Sequence, residues 1–441
     1  MKTLAILKYE WIHFVRNPFK IVALVLFILA SIYGLHNASS LYHTQLSEIE
    51  RIKEKAKESQ SEIIAFYDNN QKGPSTRPWI DVTKPFWALW YSHAYHFKTP
   101  SPLMVYDVGQ AEQYGYYKRI TDRSSPYDSD MAEEIANPER LQVGNLDFTF
   151  SIIYLLPLLL LICLYNIKGT EADTGILPLI TVQAGNTKFW LWVRVSFYAL
   201  LIIGFLILLL LYGGFLTQVF TNDLNGFLNY FGLTILYTLI WTLVFGLLIQ
   251  YGSFSINNTL KMVGIWLLFA FIIPGAIHQW VSTKYPANLM TDFIDAQRDE
   301  RDELRALPDN VLQQKLNEKF PQILNSIIIK DSLKSKKALN ESVLALTNDL
   351  IKERLKPIEE SYVNKNSIIK NTYWINPTTL FQNKFNLITQ THFENYQNYR
   401  NEIQVLVDKQ IKIMVLDIWN DVKVNRKVYL DYLNKMKITV N

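Results

Sequence analysis

A chain of 441 residues, 19% charged and 14% aromatic, could hold several soluble domains, but its apolar residues are gathered in long blocks. Such blocks favour lipid-facing helices over one large soluble core. The formal net charge of +4 is small for this length and gives no sign of nucleic-acid binding. The single cysteine, Cys163, excludes an intrachain disulfide and a cysteine-based metal site, and its place inside an apolar run predicts a small buried hydrophobe.

The first 36 residues predict a helix at the membrane surface followed by the first span. Over 1–17, apolar residues recur at helical spacing with basic residues off the apolar face, which is typical of an interfacial helix; an ordinary helical start to the span is the alternative. Pro18 then turns the chain into an apolar run over 19–36. Four basic residues precede this run: Lys2, Lys8, Arg16 and Lys20. By the positive-inside rule they predict a cytoplasmic N-terminus.

Residues 37–146 predict a first extracytoplasmic domain. The stretch 37–70 is polar and helix-prone, and 73–145 is rich in proline, tyrosine and tryptophan, which favours a loop-rich lobe. His93 and His96 stand three residues apart, a spacing that can chelate a metal ion from one helical face. No cysteine or evident third ligand accompanies them, so surface or packed histidines are the simpler interpretation.

Residues 147–281 contain the next four predicted spans. Two apolar runs, beginning at Asp147 and near Val195, are each close to the ~20 residues that a helix needs to cross a bilayer. The connector between them, 166–190, carries lysines and is therefore predicted to be cytoplasmic. The loop before the fourth span lacks lysine and arginine, as an external loop should. Pro274 in the fifth span predicts a kink near its outer end.

Residues 282–441 predict a second extracytoplasmic domain made of helices. They contain no further apolar run of spanning length, and their charges follow helical faces of the kind that water solvates. The chain is therefore predicted to be an all-α polytopic membrane protein. It would have five spans, or six if one escapes notice, and two large, mainly helical extracytoplasmic insertions.

Sequence motifs for chemistry are missing from the chain. It has no phosphate-binding GxxxxGK[ST] loop, no GxSxG nucleophile elbow and no HExxH zinc motif. The predicted spans carry essentially no ionisable side chain at mid-depth, which disfavours an ion-coupled carrier. Any active transport is therefore predicted to draw its energy from another chain, and receptor or scaffold roles stay open.

Two stretches carry a more specific pattern. The first combines an Asn-Pro, a Gly-x-x-Asp-x-x-Phe start to the second span, an internal Leu-Pro-Leu and an acidic connector, at Asn137, Pro138, Gly144, Asp147, Phe150, Leu156, Pro157, Leu158, Glu171, Asp173, Gly175 and Leu177. The second is INPTTLFQNKFNLITQTHFENYQNYRNEI in the later domain. Both resemble the permease subunits of ABC-2-type transporters, specifically a bacterial group described by a domain of unknown function, DUF3526. Ala172 and Ile176 depart from the pattern of that group, where arginine and threonine are usual.

The resemblance implies a mechanical role for the connector. Glu171, Asp173, Gly175 and Leu177 would form a coupling elbow against a separate ATP-binding-cassette ATPase. The acidic side chains would meet basic residues of that partner or cap a helix start. A plain polar turn is the alternative interpretation. Asp147, at the outer edge of the second span, is predicted to cap that helix.

The resemblance also implies an assembly. The chain would be the permease subunit of an ATP-driven exporter in the bacterial cytoplasmic (inner) membrane, paired with a second permease copy or a paralogue. ATP and Mg²⁺ would bind the partner ATPase, and this chain would hold no cofactor. ABC-2 permeases commonly have six spans, one more than the chain shows. The alternative is a non-transporting sensor or assembly factor that binds an envelope protein through its external domains.

Overall fold

The computed structural model describes residues 3–128, 146–252, 254–285, 303–304 and 306–436. It is 77% helical with almost no strand. Within these ranges, five helices are long and apolar enough to cross a membrane. The prediction of an all-α polytopic membrane protein is therefore confirmed. Asn137, Pro138 and Gly144, which carry part of the family resemblance, lie outside the described residues.

The helices are numbered along the chain. The first are α1 (Thr3–Val15), α2 (Pro18–Asp68), α3 (Pro85–Trp90), α4 (Phe148–Phe150, a π-helical turn at Ser151–Leu155, then Leu156–Leu164), α5 (Gly169–Asp173) and α6 (Leu177–Ala184). Next come α7 (Thr187–Leu216), α8 (Val219–Asn222), α9 (Leu224–Tyr251) and α10 (Ser255–Leu267, a π-helical turn at Leu268–Ile272, then Ile273–Lys284). The last are α11 (Asp309–Lys319), α12 (Ser332–Asn371), α13 (Pro377–Ile388), α14 (Phe393–Trp419) and α15 (Arg426–Lys435). The candidate spans are α2, α4, α7, α9 and α10.

The first span belongs to a much longer helix than the sequence predicts. α2 has 51 residues and continues without a break past position 36, the predicted end of the span. Pro18 at its first turn is compatible with a helix start, and no later proline interrupts it. Asn70, with a φ of 54°, lies just beyond its end. A helix of this length measures about 76 Å, so α2 exceeds the thickness of a bilayer by far.

α1 is a separate helix that packs beside the spans. Its inner side buries Ile6, Glu10 and Phe14. Leu4 and Trp11, on the predicted apolar face, point outwards and are 80% and 50% exposed. The helix therefore has one side on the bundle and an apolar side facing away from it, an arrangement that suits the membrane interface.

The spans differ in how deeply the bundle buries them. In α4, 67% of the most apolar window is buried, compared with 17% in α10. The segment Leu156–Leu164 of α4 is apolar on every side and contains six leucines, so other helices can enclose it without burying an unpaired polar side chain. α10 instead leaves most of its apolar surface uncovered on the outside of the bundle.

A π-helical turn precedes the predicted structural proline in both α4 and α10. Pro157 follows the π turn of α4, and Pro274 follows that of α10. A proline cannot bond to the carbonyl four residues earlier, and a π turn accommodates this by changing the local register. In α4 that carbonyl belongs to Ile153, and the Tyr237 hydroxyl donates to it at 2.8 Å. The Ile153 carbonyl, which lacks its usual N–H donor within the helix, thus accepts a hydrogen bond from α9.

The two external insertions share one hydrophobic core. Val82 and Leu89 from the first insertion pack with Ile403, Val415 and Trp419 from the second. Cores form wherever apolar faces are buried together, regardless of sequence distance. The two insertions are therefore treated as one body, called here the external lobe because it lies outside the bundle of spans.

The predicted histidine pair lies on a strand and a turn of this lobe. Strand β1 (Tyr95–Phe97) pairs antiparallel with β2 (Tyr117–Arg119). His96 is in β1, and His93 has a φ of 46° in the turn before it, so the two are not on one helical face. His96 Nε2 lies 2.8 Å from a carboxylate oxygen of Glu402. Among the described residues, no group of three or more potential ligands could hold a metal ion.

Candidate coupling site

The connector between α4 and α7 forms two short helices at one end of the bundle, called here the connector end. α5 contains Glu171 and Asp173, and α6 follows after Gly175. Gly175 has a φ of 73°, and Gly185, which ends α6, has a φ of 70°. Nothing lies within 4 Å of a Cβ built on either glycine, so backbone conformation and not crowding is what favours glycine here.

Arg194 of α7 links the connector to α1. Its Nε donates to Glu10 of α1, and its Nη1 lies 2.5 Å from Glu171 Oε1 of α5. The three side chains are largely buried, with 10%, 4% and 18% of their surface exposed, respectively. A guanidinium carries five N–H donors and can serve two carboxylates at once. Glu171 is thus paired within its own chain, whereas the resemblance implies a role against a partner.

Lys20 is a second buried cation at the connector end. It is one of the residues from which the sequence predicts a cytoplasmic N-terminus, yet only 4% of it is exposed. Its Nζ donates to the Cys163 carbonyl at 2.7 Å and to the Tyr198 hydroxyl at 3.0 Å. Lys20 therefore ties α2 to α4 and α7. Cys163 is free and buried, as the sequence predicts.

Further polar contacts hold the connector against the start of α10. Lys168 Nζ donates to the carbonyls of Gln250 at 2.9 Å and of Gly252 at 2.7 Å. Asp173 Oδ1 accepts from the Ser255 backbone N–H at 3.4 Å. A displacement of α5 would consequently act on α9 and α10 as well as on α7 and α1.

α6 is the uncovered part of the connector. None of its residues is buried. Leu179 and Val182 are 57% and 82% exposed, and Ile176 just before the helix is 48% exposed. Leu177, the last of the predicted coupling residues, is partly buried at the start of α6. An apolar ridge of this kind is a surface that a protein partner or a membrane would cover.

Asp147 lies at the opposite end of the bundle, called here the lobe end. Its Oδ1 accepts from the Phe150 N–H at 2.7 Å and so caps α4. Asp147 is therefore placed far from Glu171 along α4, and Pro157 lies between them. The predicted site residues form no single cluster: four belong to the connector, and the others belong to the spans.

The sequence-based prediction missed Glu10 and Arg194 as partners of the connector. The sequence contains one indication that Glu10 is paired, because Glu10 is the only acidic residue before Glu48. An acid on a membrane-surface helix and an arginine near the start of a span are each costly unless paired. Their separation of 184 residues hid the pairing.

No family model, curated protein or solved structure matches this chain. The geometry of the connector and of the external lobe is therefore what a functional proposal has to rest on.

Proposed function

We propose that this chain is the membrane-spanning permease subunit of an ATP-driven, ABC-2-type exporter whose separate ATPase docks on α6. The observation that carries the proposal is the uncovered apolar α6, held in a connector that is bonded to α1, α7 and α10. A partner that moves α6 would move all of these helices together. The five candidate spans and the resemblance of the connector to that of ABC-2 permeases support the same function.

In this proposal the chain converts the movement of its partner into a change of the bundle. ATP and Mg²⁺ bind the ATPase, and two permease copies flank the substrate path in a bacterial cytoplasmic membrane. Closure of the ATPases shifts the population of each bundle between inward-open and outward-open states. Arg194 transmits the movement to α1 through Glu10, and Lys168 and Asp173 transmit it to α9 and α10.

Aspartate substitution in α6 tests the docking surface. We expect Leu179→Asp and Val182→Asp to reduce the ATPase recovered with the permease in mild detergent by roughly tenfold or more, because each places a charge on an apolar contact. Both side chains are exposed, so the fold should be unaffected. Leu333→Asp, on a lobe residue that is 84% exposed, is the matched control and should leave recovery unchanged.

Two results would contradict the docking proposal. One is normal ATPase recovery with both α6 variants. The other is the absence of any ATPase from wild-type preparations made under conditions that preserve permease–ATPase pairs. Charge reversal at Glu171 is a poorer test, because it also breaks the buried bond to Arg194.

The alternative function, a non-transporting protein that binds an envelope partner, has one feature in its favour. A cavity of about 330 Å³ opens in the external lobe and is lined by Asp122, Lys352, Lys356 and Arg400, among others. Asp122 Oδ2 is buried there with no hydrogen-bond partner among the described residues. This function would be favoured over export if an envelope protein co-purified with the chain in the absence of an ATPase. The Asp122→Asn variant should then fail to recover that envelope protein.

A further inference from the structure

α13 enters the span bundle from the lobe end. Its Phe385 ring lies 4.7 Å from the ring of Tyr230, and its Phe381 ring lies 4.8 Å from the ring of Tyr237. Both tyrosines are on α9, a helix of 28 residues. Tyr237 comes thirteen residues after Leu224, or about 20 Å along the helix axis. α13 therefore reaches about halfway down a span, although it is too short to cross a membrane.

The C-terminal turn of α13 is fastened to the first insertion. With its amide oriented so that both ends are satisfied, Asn386 Nδ2 donates to Asp107 Oδ2 at 2.6 Å and to Oδ1 at 3.2 Å. The Gln110 N–H donates to the Thr391 carbonyl at 3.1 Å. Asp107 is thus the main side-chain anchor of this turn.

Asp107 faces a second buried carboxyl group, that of Asp147. Asp147 Oδ2 accepts from the N–H of Val108, the residue next to Asp107, at 3.0 Å, and only 2% of Asp107 and 7% of Asp147 are exposed. Two neighbouring buried carboxylates repel each other when both are ionised, so this burial favours a proton on one of them. Asp147 already accepts from the N–H groups of Phe150 and Val108, which favours its ionised form. Burial and the neighbouring charge of Asp147 raise the pKa of Asp107 well above its ordinary value, so the proton is assigned to Asp107.

Among the described residues around the pair, no cation neutralises the charge that a second ionised carboxylate would bring. The titratable groups near the pair are Tyr106, Tyr154, Tyr230, Lys98 and His392. The elements packed against it also carry Lys384 on α13 and Tyr33 and His36 on α2, and all three of these are exposed. α2 presents Gly34 to Asp147, and α13 presents Asn386 to Asp107. Within the described ranges, no lysine, arginine or histidine forms an ion pair with either carboxyl group. Lys98 Nζ instead donates to a backbone carbonyl after α13.

The same burial determines how the pair responds to pH. Burial raises the pKa of Asp107 well above its ordinary value, and the neighbouring charge of Asp147 raises it further. Burial also raises the pKa of Asp147, against the opposing effect of its N–H donors. An aspartate in an unfolded chain titrates near ~3.9. The folded chain thus keeps a proton that the unfolded chain has lost, and the stability that this proton supplies decreases as pH rises from about 4 through the raised pKa.

We propose that Asp107 and Asp147 form a binding site for one proton that locks α13 into the span bundle. With the proton bound, Asp107 donates to Asp147 and accepts from Asn386, so that α4, the first insertion and α13 are joined in one network. When the proton leaves, two anions face each other in a buried site and repel, so that Asp107 and the α13 turn bonded to it are pushed away from Asp147 and α4. This site lies at the lobe end and operates whether or not an ATPase docks on α6.

The matched neutral variant is Asp107→Asn, because its amide can donate to Asp147 while its oxygen accepts from Asn386. We expect the Tm of the full-length wild-type chain in detergent to fall relative to this variant as pH rises from 5 to 9, by about 3–6 °C. Asp223→Asn is the control. Asp223 caps α9 at the same end by accepting from the Gly226 N–H at 2.8 Å, without a bonded carboxyl neighbour among the described residues. The Tm of Asp223→Asn should change with pH in parallel with the Tm of the wild type.

A second measurement separates the position of α13 from overall stability. Spin labels would replace Trp374, which is 84% exposed just before α13, and Tyr251, which is 80% exposed at the far end of α9. The background would be Cys163→Ala. In pulsed electron paramagnetic resonance, the distance distribution should broaden at pH 9 relative to pH 5, and it should stay narrow at both when Asp107→Asn is added.

Two outcomes would overturn the proposal. Parallel melting curves for the wild type and Asp107→Asn would show that no proton is bound preferentially by the folded chain. A distance distribution that is independent of pH in both backgrounds would show that the proton does not hold α13. Neither readout depends on ATPase recovery, so a failure of the docking proposal would leave this one standing.

Discussion

Replacement of Arg194 with methionine should lower the free energy of unfolding by about 3–5 kcal/mol. The substitution keeps most of the side-chain volume but leaves Glu10 and Glu171 as buried carboxylates without their cation. Each carboxylate already has one buried oxygen without a partner among the described residues, so little else can compensate. Thermal or denaturant unfolding of the full-length chain in detergent measures the loss.

Two further variants test whether the cause is the unpaired charge. Arg51→Met removes an exposed ion pair with Glu48, in which the arginine side chain is 55% exposed, and it should cost far less stability than Arg194→Met because water screens the pair. Adding Glu10→Gln and Glu171→Gln to Arg194→Met should restore much of the lost stability, because neutral amides are less costly to bury. Equal losses of stability for Arg194→Met and Arg51→Met would mean that the burial of Glu10, Glu171 and Arg194 has no energetic importance.

Gly34→Ala should lower the free energy of unfolding by about 3 kcal/mol, because a methyl group there has no room. A Cβ on Gly34 would lie 2.6 Å from the carbonyl carbon of Asp147 and 2.9 Å from the Phe148 nitrogen. Both are backbone atoms and cannot rotate away, so α2 and the start of α4 would have to separate. The loss should be visible as a lower Tm of the purified chain.

The matched control for this close contact is Gly204→Ala. Gly204 lies inside α7, and nothing stands within 4 Å of a Cβ built on it. Alanine there should be neutral or should stabilise the helix by roughly 0.5–1 kcal/mol. Equal unfolding temperatures for the two alanine variants would mean that α2 and the start of α4 are not in close contact in the folded chain.

The spans were predictable because they depend on local composition alone. Lipid selects long apolar runs, and the run that becomes α4 is recognisable without any knowledge of its neighbours. The prolines also indicated that the helix geometry around them would be irregular. Which irregularity Pro157 would produce depended on the Tyr237 hydroxyl from another helix, and no local pattern indicates that.

The contacts that define the connector and the proton site were not predictable, because they join distant parts of the chain. Arg194 and Glu10 are 184 residues apart, and Asp147 accepts a hydrogen bond from Val108, the neighbour of Asp107, across 39 residues. α13 contains Gln382, Asn383 and Lys384 and does not look like a membrane element, although Phe381 and Phe385 stand at helical spacing on one face. The sequence therefore supports the class of protein, and the tertiary structure supplies the candidate sites.

The length of α2 makes it a lever arm. About 30 Å of its ~76 Å suffices to cross hydrocarbon, so some 45 Å extends into the external lobe. Its far end is held there, with Asp68 bonded to Arg426 at 3.2 Å and the Tyr67 ring 5.6 Å from that of Tyr429. A tilt of about 10° at the bilayer surface would swing that end by roughly 8 Å, given this length. Small rotations of the first span are thereby magnified into large displacements far outside the membrane, and a pull on the lobe exerts a correspondingly large torque on the span.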